Sequence, residues 1–400
     1  MGRLRPWVAC VRVNRHDKAY FLHQLDGFSQ IVPHLVTWDD ARPDAERRAM
    51  AQNTTALEAP WQSYWRFPGG HRLLTMVRRV RGKLMRRPLS PGAAERGALR
   101  RLAQDVPPDV IYAHTGFVGL RLLPLAQRLG VPLVVHFHGL DLNTPDPVYL
   151  RQLRHDVQHF DRIIVVGEWM VPPLVAMGYD SARIALVPMG APMAHVQAKT
   201  DSVKRDPGRT GIRFIAVGHM IPYKGFDRTL AAFAQLAARH NDVELVLVGD
   251  GSERAALEEA AQSAGVAGAV RFTGTLSSDA TLGEMAQADV LLHHPVDHPG
   301  GPEAFGVVIT EGMALGLPVV GSRCGGLPDQ IIDTETGFLV DQDDVAGMAD
   351  AMARLAEDAS LRATLGTAGQ ARAKSAFDAH VLARQAEDVL LQAAGKGTQP

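Results

Sequence analysis

Short apolar runs alternate with longer amphipathic stretches along almost the whole chain. The runs are rich in Val, Ile and Leu, as buried strands are, while the stretches between them repeat apolar residues at helical spacing. This alternation predicts an α/β protein with parallel sheets. The predicted strands are WVACVRV, PHLVTW, DVIYAH, PLVVHFHG, DRIIVVG and IALVPMG in the first half, and IRFIAVG, VELVLVGDG, AVRFTG, DVLLHHP, PVVGS and GFLV in the second.

The alternation of strand-like and helix-like segments is interrupted once, in the segment APMAHVQAKTDSVKRDPGRTG at residues 191–211. This segment is polar and its apolar residues follow no clear period. Such a segment is typical of a linker, and 400 residues suffice for two domains. We therefore predict a first domain over residues 1–195, a linker over 196–211 and a second domain over 212–375. The last predicted helices are DVAGMADAMARLAED and DAHVLARQAEDVLLQAA; the latter lies in residues 376–400 and is expected to cross back to the first domain.

The composition is that of an ordinary globular protein, with 46% hydrophobic and 21% charged residues. No apolar run is long enough for a membrane span or a signal peptide, so we expect a cytoplasmic protein. Cys10 and Cys324 lack any metal or disulfide spacing, which agrees with a reducing compartment. A net charge of −1 gives no global field that would favour nucleic acid as a partner.

One segment departs from this even balance of charge. From Arg72 to Arg87 the chain has seven Lys and Arg residues and no acidic one, and Trp61, Trp65 and Phe67 lie just before it. Basic side chains interleaved with apolar ones suit a helix that lies on anionic lipid headgroups. A solvated helix face is an equally good interpretation. The segment thus raises the hypothesis of peripheral attachment to the inner face of the cytoplasmic membrane.

Two glutamates flank the start of a predicted helix in PEAFGVVITEGMALGLP, at residues 302–318. Glu303 and Glu311 are eight residues apart, or about 12 Å along a helix, so they cannot serve one atom. The N–H groups of AFGV could accept a diphosphate at the helix N-terminus. Glu303 could then bind the hydroxyls of a sugar and Glu311 those of a ribose. The alternative is that both glutamates merely cap or solvate the helix.

Lys224 lies in HMIPYKGFD, a loop that follows a predicted strand and runs into a helix. A lysine beside a helix N-terminus makes an anion site, although a surface lysine would give the same pattern. The segment GDGSERAAL imitates a dinucleotide-binding fingerprint. It carries Arg254 in place of the third glycine, so an NAD-binding role is poorly supported.

Histidines end two of the predicted strands. In VVHFHGLDL, the alternation of a strand puts His136 and His138 on one face. A zinc site would need further ligands and none is evident in register, so we predict no metal site. We favour His138 as a polar contact or proton carrier. A second group could bind a metal ion, but loop hydrogen bonding is the favoured interpretation: His293, His294 and His298.

The chain resembles the retaining GT-B glycosyltransferases of family 4, including exopolysaccharide and colanic-acid-like members. It carries their motifs in order: HFHGLDL, FDRIIVVGEWM, ALVPMGAP, AVGHMIPYKGFD, LVLVGDGSE, VRFTGTL, ADVLLHHP, EAFGVVITEGMALGLPVVGSRCGGLPDQI and TGFLV. The resemblance implies two Rossmann-like, doubly wound domains that face a central cleft. It also implies transfer of a sugar from a nucleotide-diphosphate sugar to a glycan or lipid-linked acceptor, in the synthesis of exopolysaccharide or another cell-surface polysaccharide, without a metal or other cofactor.

The same resemblance assigns roles to residues. Glu303 would contact the transferred sugar, Glu311 the ribose and Lys224 the diphosphate, and His138 would contact the sugar or phosphate. Catalysis would thus rest on His138, Glu303 and Lys224. The implied donor-binding set is Gly218, His219, Lys224, Thr275, Leu276, Glu303, Ala304, Phe305, Gly306, Val307 and Glu311.

One departure from the family pattern bears on function. His219 stands where the family usually has an arginine that contacts phosphate, and a histidine carries a full charge only when protonated. Two alternatives stay open, and only the first of them depends on a loss of phosphate affinity at His219. The chain could be a non-catalytic GT-B scaffold of a polysaccharide assembly complex, or a nucleotide-sugar epimerase.

Overall fold

The computed structural model describes residues 4–13, 25, 27–40, 54–57, 91–202, 208–299 and 301–396. The basic segment from Arg72 to Arg87 lies outside these residues. Within them the chain forms two compact α/β units, and every pairing between the described strands is parallel. No helix in the described ranges is both long enough and apolar enough to cross a membrane.

The first unit comprises Met1–Val166, Met170–Val187 and Ala383–Pro400. Its strands are β1 (Pro6–Val13), β2 (His34–Asp40), β3 (Thr54–Ala56), β4 (Val110–His114), β5 (Leu133–Phe137), β6 (Arg162–Val165) and β7 (Ile184–Leu186). They form one sheet in the order β3-β2-β1-β4-β5-β6-β7. Its helices are α1 (Ala93–Asp105), α2 (Gly116–Leu129), α3 (Leu140–Asn143), α4 (Pro147–Asp156) and α5 (Val171–Ala176).

Helix α2 illustrates how the sequence builds this unit. Thr115 caps its N-terminus by accepting a hydrogen bond from the Val118 N–H, and Gly130 ends it in the left-handed conformation. Gly119 faces β5, where an added Cβ would lie 2.7 Å from the Val135 side chain. The glycine therefore lets the helix pack closely on the sheet.

The second unit comprises Gly167–Trp169 and Pro188–Leu382. Its strands are β8 (Ile212–Val217), β9 (Val243–Val248), β10 (Val270–Gly274), β11 (Val290–His293), β12 (Val319–Ser322) and β13 (Gly337–Val340), in the order β10-β9-β8-β11-β12-β13. Its helices are α6 (Met193–Ser202), α7 (Phe226–Ala237), α8 (Arg254–Ser263), α9 (Ser278–Ala286), α10 (Val307–Ala314), α11 (Leu327–Gln330), α12 (Val345–Glu357) and α13 (Ala359–Ala376). Apolar clusters cover both faces of this sheet, as a doubly wound fold requires.

The segment predicted as a linker contains a helix. Helix α6 occupies Met193–Ser202, and its Val196 is fully buried in the core of the second unit. The compact units divide between Val187 and Pro188, before the segment begins. The predicted linker over 196–211 therefore begins within a helix, which the pattern did not reveal because few apolar side chains hold it and they show no visible period.

Helix α13 was missed by the pattern analysis altogether. Its buried residues are Leu365, Gly366, Gly369 and Ala373, which have helical spacing but are mostly small. Gly366 lies so close to the main chain at Gly316 that an added Cβ would come within 2.1 Å of its carbonyl oxygen. Close backbone packing, rather than a stripe of large apolar side chains, holds this helix in place.

The last helix, α14, spans Ala379–Ala393. Residues from Ala383 onward belong to the first unit, where the fully buried Glu387 lies. Its carboxylate accepts hydrogen bonds from the backbone N–H groups of Ser29, Gln30 and Ile31. This carboxylate fixes the chain segment just before β2.

Candidate active site

The second sheet reverses its chain order at β8. Strand β9 lies on one side of β8, and β11 lies on the other. Open parallel sheets bind ligands at the carboxyl ends of their strands, at such a switch point. The loop after β8 carries Lys224, and the loop after β11 carries Glu303. Two of the residues predicted from sequence thus meet at the position that the topology favours for a ligand.

Lys224 and Glu303 form an ion pair. The Lys224 Nζ donates a hydrogen bond to Glu303 Oε2, and the two side chains are only 19% and 13% exposed. Lys224 ends a short 3₁₀ turn, and Gly225 then turns the chain into α7 with a φ of 66°. A Cβ at Gly225 would meet the His294 carbonyl oxygen at 1.8 Å, so this position requires glycine. The resemblance gave Lys224 and Glu303 different parts of a ligand, whereas here they are each other's partners.

A buried imidazole lies beside this pair. His293 ends β11, and its Nε2 is 3.9 Å from Glu303 Oε2. The same nitrogen has no hydrogen-bond partner within the described part of the chain. Burial, and then the charge of Lys224, lower the pKa of His293 to about 3. The ring is therefore neutral, and a small shift would let its N–H donate to Glu303. Sequence analysis favoured a loop role for His293 and did not predict its place beside Glu303.

The next residue, His294, makes the loop hydrogen bond that sequence analysis favoured for this group. His294 Nε2 donates a hydrogen bond of 2.8 Å to the Gln342 carbonyl oxygen. His298 contacts the ring of Tyr223, with 5.1 Å between the ring centroids.

The predicted anion site at the start of α10 is only partly available. The Gly306 N–H donates to Gln330 Oε1 at 2.9 Å, and Gln330 Nε2 donates back to the Gly306 carbonyl oxygen. Phe305 is buried against Phe377, and the Ala304 carbonyl oxygen accepts a hydrogen bond from Trp169 Nε1. The interpretation of Gly306 as a free N–H donor was therefore wrong, because a buried glutamine side chain already satisfies it. Val307, the first residue of the helix, stays a prediction.

Glu311 lies in the second turn of α10, half-buried, where it cannot cap the helix N-terminus. Burial raises its pKa to about 7. Its carboxyl group forms no hydrogen bond or ion pair with any residue in the described ranges. A buried carboxyl group is usually stabilised by a hydrogen bond or by an opposite charge, and Glu311 has neither among the described residues. Its position fits a group that receives hydroxyl donors from a ligand better than it fits a solvated surface glutamate.

Other predicted residues follow neighbouring strands at the same edge. Gly218 and the exposed His219 come directly after β8. Thr275, which is exposed, and Leu276, which is half-buried, come directly after β10. All of these positions therefore lie at the carboxyl edge of the second sheet.

The glycines that imitate a dinucleotide fingerprint have a structural role. A Cβ at Gly249 would lie 1.9 Å from the Gly218 carbonyl oxygen, and one at Gly251 would lie 2.3 Å from the Met220 carbonyl oxygen. These glycines let the loops after β8 and β9 pack backbone against backbone. The fingerprint resemblance thus needs no dinucleotide to explain it.

The first unit gathers three histidines at the carboxyl ends of β4 and β5. His114 lies opposite His136 in the strand register, and its Nδ1 is 3.1 Å from His138 Nε2. The Asp141 carboxylate accepts a 2.6 Å hydrogen bond from the His138 N–H and another from the Gly116 N–H. Sequence analysis missed His114, which lies 24 residues from its partner. A signal was present, since the adjacent predicted strands DVIYAH and PLVVHFHG both carry histidine near their ends.

Comparison with protein-family models gives two matches. A model described as "Glycosyl transferases group 1" matches residues 199–372. A second, described as "Glycosyl transferase 4-like domain", matches residues 28–190. Together they cover more than four fifths of the chain.

Two curated relatives illustrate the range of similar proteins. The chain is 29% identical over 255 residues to the GDP-mannose-dependent alpha-(1-6)-phosphatidylinositol monomannoside mannosyltransferase of Mycolicibacterium smegmatis, covering 62% of this chain and 67% of that protein. It is 24% identical over 295 residues to the amylovoran biosynthesis glycosyltransferase AmsK of Erwinia amylovora, covering 70% of each.

Among solved structures, the chain is similar to Anabaena Alr3699/HepE in complex with UDP. The TM-score is 0.76 at 19% identity, and the match covers 97% of this chain and 100% of the other. At this identity the likeness shows a shared fold.

Proposed function

The chain belongs to the family 4 glycosyltransferases and has their GT-B fold, and from this premise we propose that it transfers a sugar, with retention of configuration, from a nucleotide-diphosphate sugar to a glycan or lipid-linked acceptor. The observation that carries the proposal is the meeting of Lys224 and Glu303 at the switch point of the second sheet. An ammonium group and a carboxylate at that position suit a ligand with an anionic part and a polyhydroxyl part.

The donor would bind by separating the ion pair between Lys224 and Glu303 and contacting both side chains. Its diphosphate offers several charged oxygens, so it would take the Lys224 ammonium from Glu303. Glu303 would then accept hydrogen bonds from hydroxyls of the sugar, with the neutral imidazole of His293 close enough to support it. Glu311 would accept from the ribose hydroxyls, which supply the hydrogen bonds that this half-buried carboxyl group lacks.

The transfer step follows from the chemistry of the donor. An acceptor hydroxyl attacks the anomeric carbon while the bond from that carbon to the phosphate oxygen breaks. The hydroxyl proton passes to the departing phosphate oxygen, and attack from the same face retains the configuration. Lys224 and the N-terminus of α10 would stabilise the charge on the leaving diphosphate, a task that a divalent ion performs in other enzymes. His138 is the proposed contact to the sugar or phosphate.

The acceptor and the pathway are proposed from the relatives. One relative is named for a phosphatidylinositol mannoside and another for amylovoran biosynthesis. We accordingly propose a role in the synthesis of a cell-surface polysaccharide or glycolipid at the cytoplasmic side of a membrane.

Replacing Arg78, Arg79 and Arg81 with Gln should move the protein from anionic vesicles to the supernatant in flotation. An unchanged distribution would leave the basic segment as a solvated surface.

A donor panel tests the activity. Wild-type protein is incubated with UDP-, GDP- and ADP-sugars, and both released nucleotide and changes in the sugar are measured. We expect nucleotide release from at least one donor and its loss in Lys224→Ala. Release from none would favour a non-catalytic scaffold, and a changed sugar without release would favour an epimerase.

A further inference from the structure

The imidazoles of His114, His136 and His138, here called the histidine cluster, converge at the carboxyl edge of the first sheet. Each offers one ring nitrogen, and the three nitrogens lie within 4.8 Å of one another. The separation between His114 Nδ1 and His138 Nε2 is 3.1 Å. Tetrahedral metal–nitrogen bonds of about 2.0–2.1 Å place ligand nitrogens about 3.3 Å apart. This pair, now joined by a hydrogen bond, already has nearly that spacing, and separations of up to 4.8 Å within the cluster would have to shrink by at most about 1.5 Å.

His136 is held in the manner of a metal ligand. The Tyr112 hydroxyl lies 2.7 Å from its Nδ1, a contact that fixes the ring as outer-shell partners do in metal sites. The opposite nitrogen, Nε2, is buried and makes no hydrogen bond of acceptable distance and angle to any described residue, although the Val187 carbonyl group is near.

The nearest carboxylate is already engaged. Asp141 uses Oδ1 for the Gly116 N–H and Oδ2 for the His138 N–H. It positions the backbone of His138. His138 itself is half-buried, so the cluster is reachable from solvent. Three imidazoles could form a zinc site of the kind in which a water or an anion takes the fourth position.

We propose that the histidine cluster binds one divalent transition-metal ion, with Zn²⁺ as the type case, through its three imidazoles and one exchangeable water or anion. Imidazole ligands suit Zn²⁺, Cu²⁺, Ni²⁺ and Co²⁺, whereas Mg²⁺ and Ca²⁺ prefer oxygen ligands. Sequence analysis rejected such a site for want of a third ligand, and His114 supplies it.

One consequence rests on the proposed function. If His138 contacts the donor sugar or phosphate during transfer, a metal ion on the cluster competes with that contact. Zn²⁺ should then inhibit sugar transfer over the concentration range in which it binds. Binding of the ion is measured without donor, so it can be tested whether or not the chain proves to be a transferase.

The test is a metal titration of the full chain after removal of bound metals with a chelator. Calorimetry with Zn²⁺ and visible absorption with Co²⁺ should show about one tight site per chain. His114→Ala and His138→Ala should abolish that site, and Tyr112→Phe should weaken it about tenfold by releasing His136. His159→Ala, which removes an exposed histidine of the same unit, is the matched control and should leave binding unchanged.

Several results would overturn the inference. These are the absence of a tight Zn²⁺ site in the wild type, a site that survives His114→Ala, or equal binding of Mg²⁺. Melting curves of every variant verify folding, and His114→Gln replaces His114→Ala if the latter unfolds. Transfer that is insensitive to bound Zn²⁺ would remove the inhibitory consequence. Binding of Zn²⁺ by a chain that transfers no sugar would contradict the proposed function alone.

Discussion

In each sheet, polar side chains lie just after the carboxyl ends of the strands. Their chemistry differs between the two sheets. In the second unit an ammonium group and a carboxylate pair beside a second, half-buried carboxyl group. In the first unit the described residues at that edge include three imidazoles and a tyrosine hydroxyl in mutual contact. The described residues of the first edge are rich in imidazole groups, whereas the second edge pairs an ammonium group with carboxyl groups.

The difference shows how one topology presents two kinds of chemistry. Parallel strands bring their following loops together whatever the loops contain, so the fold determines where a site lies. A few side chains then determine what the site can hold. The charged edge, with Lys224 and Glu303, suits a ligand that joins an anion to hydroxyl groups. The imidazole edge suits neutral hydroxyl groups or a transition-metal ion.

Removal of the ammonium group should have the largest effect. Lys224→Ala deletes a charge-assisted contact worth about 1.5–3 kcal/mol, so kcat/KM for the donor should fall about 10- to 150-fold. Lys374→Ala removes an exposed lysine of the same unit and should be silent. Steady-state kinetics on both variants measures the contrast. Wild-type kinetics in Lys224→Ala would show that the charged edge does not bind the diphosphate.

Glu311→Ala should act mainly on donor binding. Loss of the acceptor for the ribose hydroxyls should raise KM for the donor about tenfold or more while kcat changes less. Glu335→Ala, at an exposed glutamate of the same unit, serves as the control. An unchanged KM would mean that Glu311 is only a buried structural carboxyl group.

The buried imidazole beside the ion pair should make the protein acid-sensitive. The pKa of His293 is about 3 in the folded protein against an ordinary 6.5, so the unfolded chain binds a proton more readily. Stability is then lost as the pH falls below 6.5, by about 2 kcal/mol at pH 5. In His293→Gln the difference in unfolding free energy between pH 7 and pH 5, from urea titrations, should shrink by about that amount. An undiminished difference would show that His293 titrates normally.

Glu311 should make stability depend on pH in the opposite direction to His293, and by a smaller amount. Its pKa is raised to about 7 from 4.5, so the folded protein binds the proton more tightly and loses stability as the pH rises from 4.5 through 7. The full shift corresponds to about 3 kcal/mol, and solvent at this half-buried side chain should reduce it to about 1–2 kcal/mol. Glu311→Gln should therefore be more stable than the wild type at pH 8 but not at pH 4.5. Parallel stability curves for the two proteins would contradict the raised pKa.

The sequence predicted every described strand except the short β3, and it predicted the edge at which the candidate site lies. Apolar runs identify β8 and β11, and the loops after them contain Lys224 and Glu303. It could not predict that these two residues pair, because 79 residues separate them and the pairing depends on the strand order. His114 was missed for the same reason, because its partners lie on or just after a neighbouring strand.

Helices α6 and α13 escaped prediction for a different reason. Helix α13 packs through Gly366, Gly369 and Ala373, and α6 is anchored in the core through Val196. Hydrophobic periodicity detects large apolar side chains, and it fails where small residues or few contacts hold a helix. The occupied N–H of Gly306 was likewise invisible, since its partner Gln330 is recognisable only in the folded chain.

The central claim is that Lys224 binds the diphosphate of a nucleotide donor in the second unit. Thermal unfolding of the wild type and of Lys224→Ala in UDP, GDP and ADP tests it directly, because a ligand that binds the folded form raises Tm. We expect at least one nucleotide to raise Tm of the wild type and to raise that of the variant far less. No shift with any nucleotide, or an equal shift in both proteins, would contradict the claim.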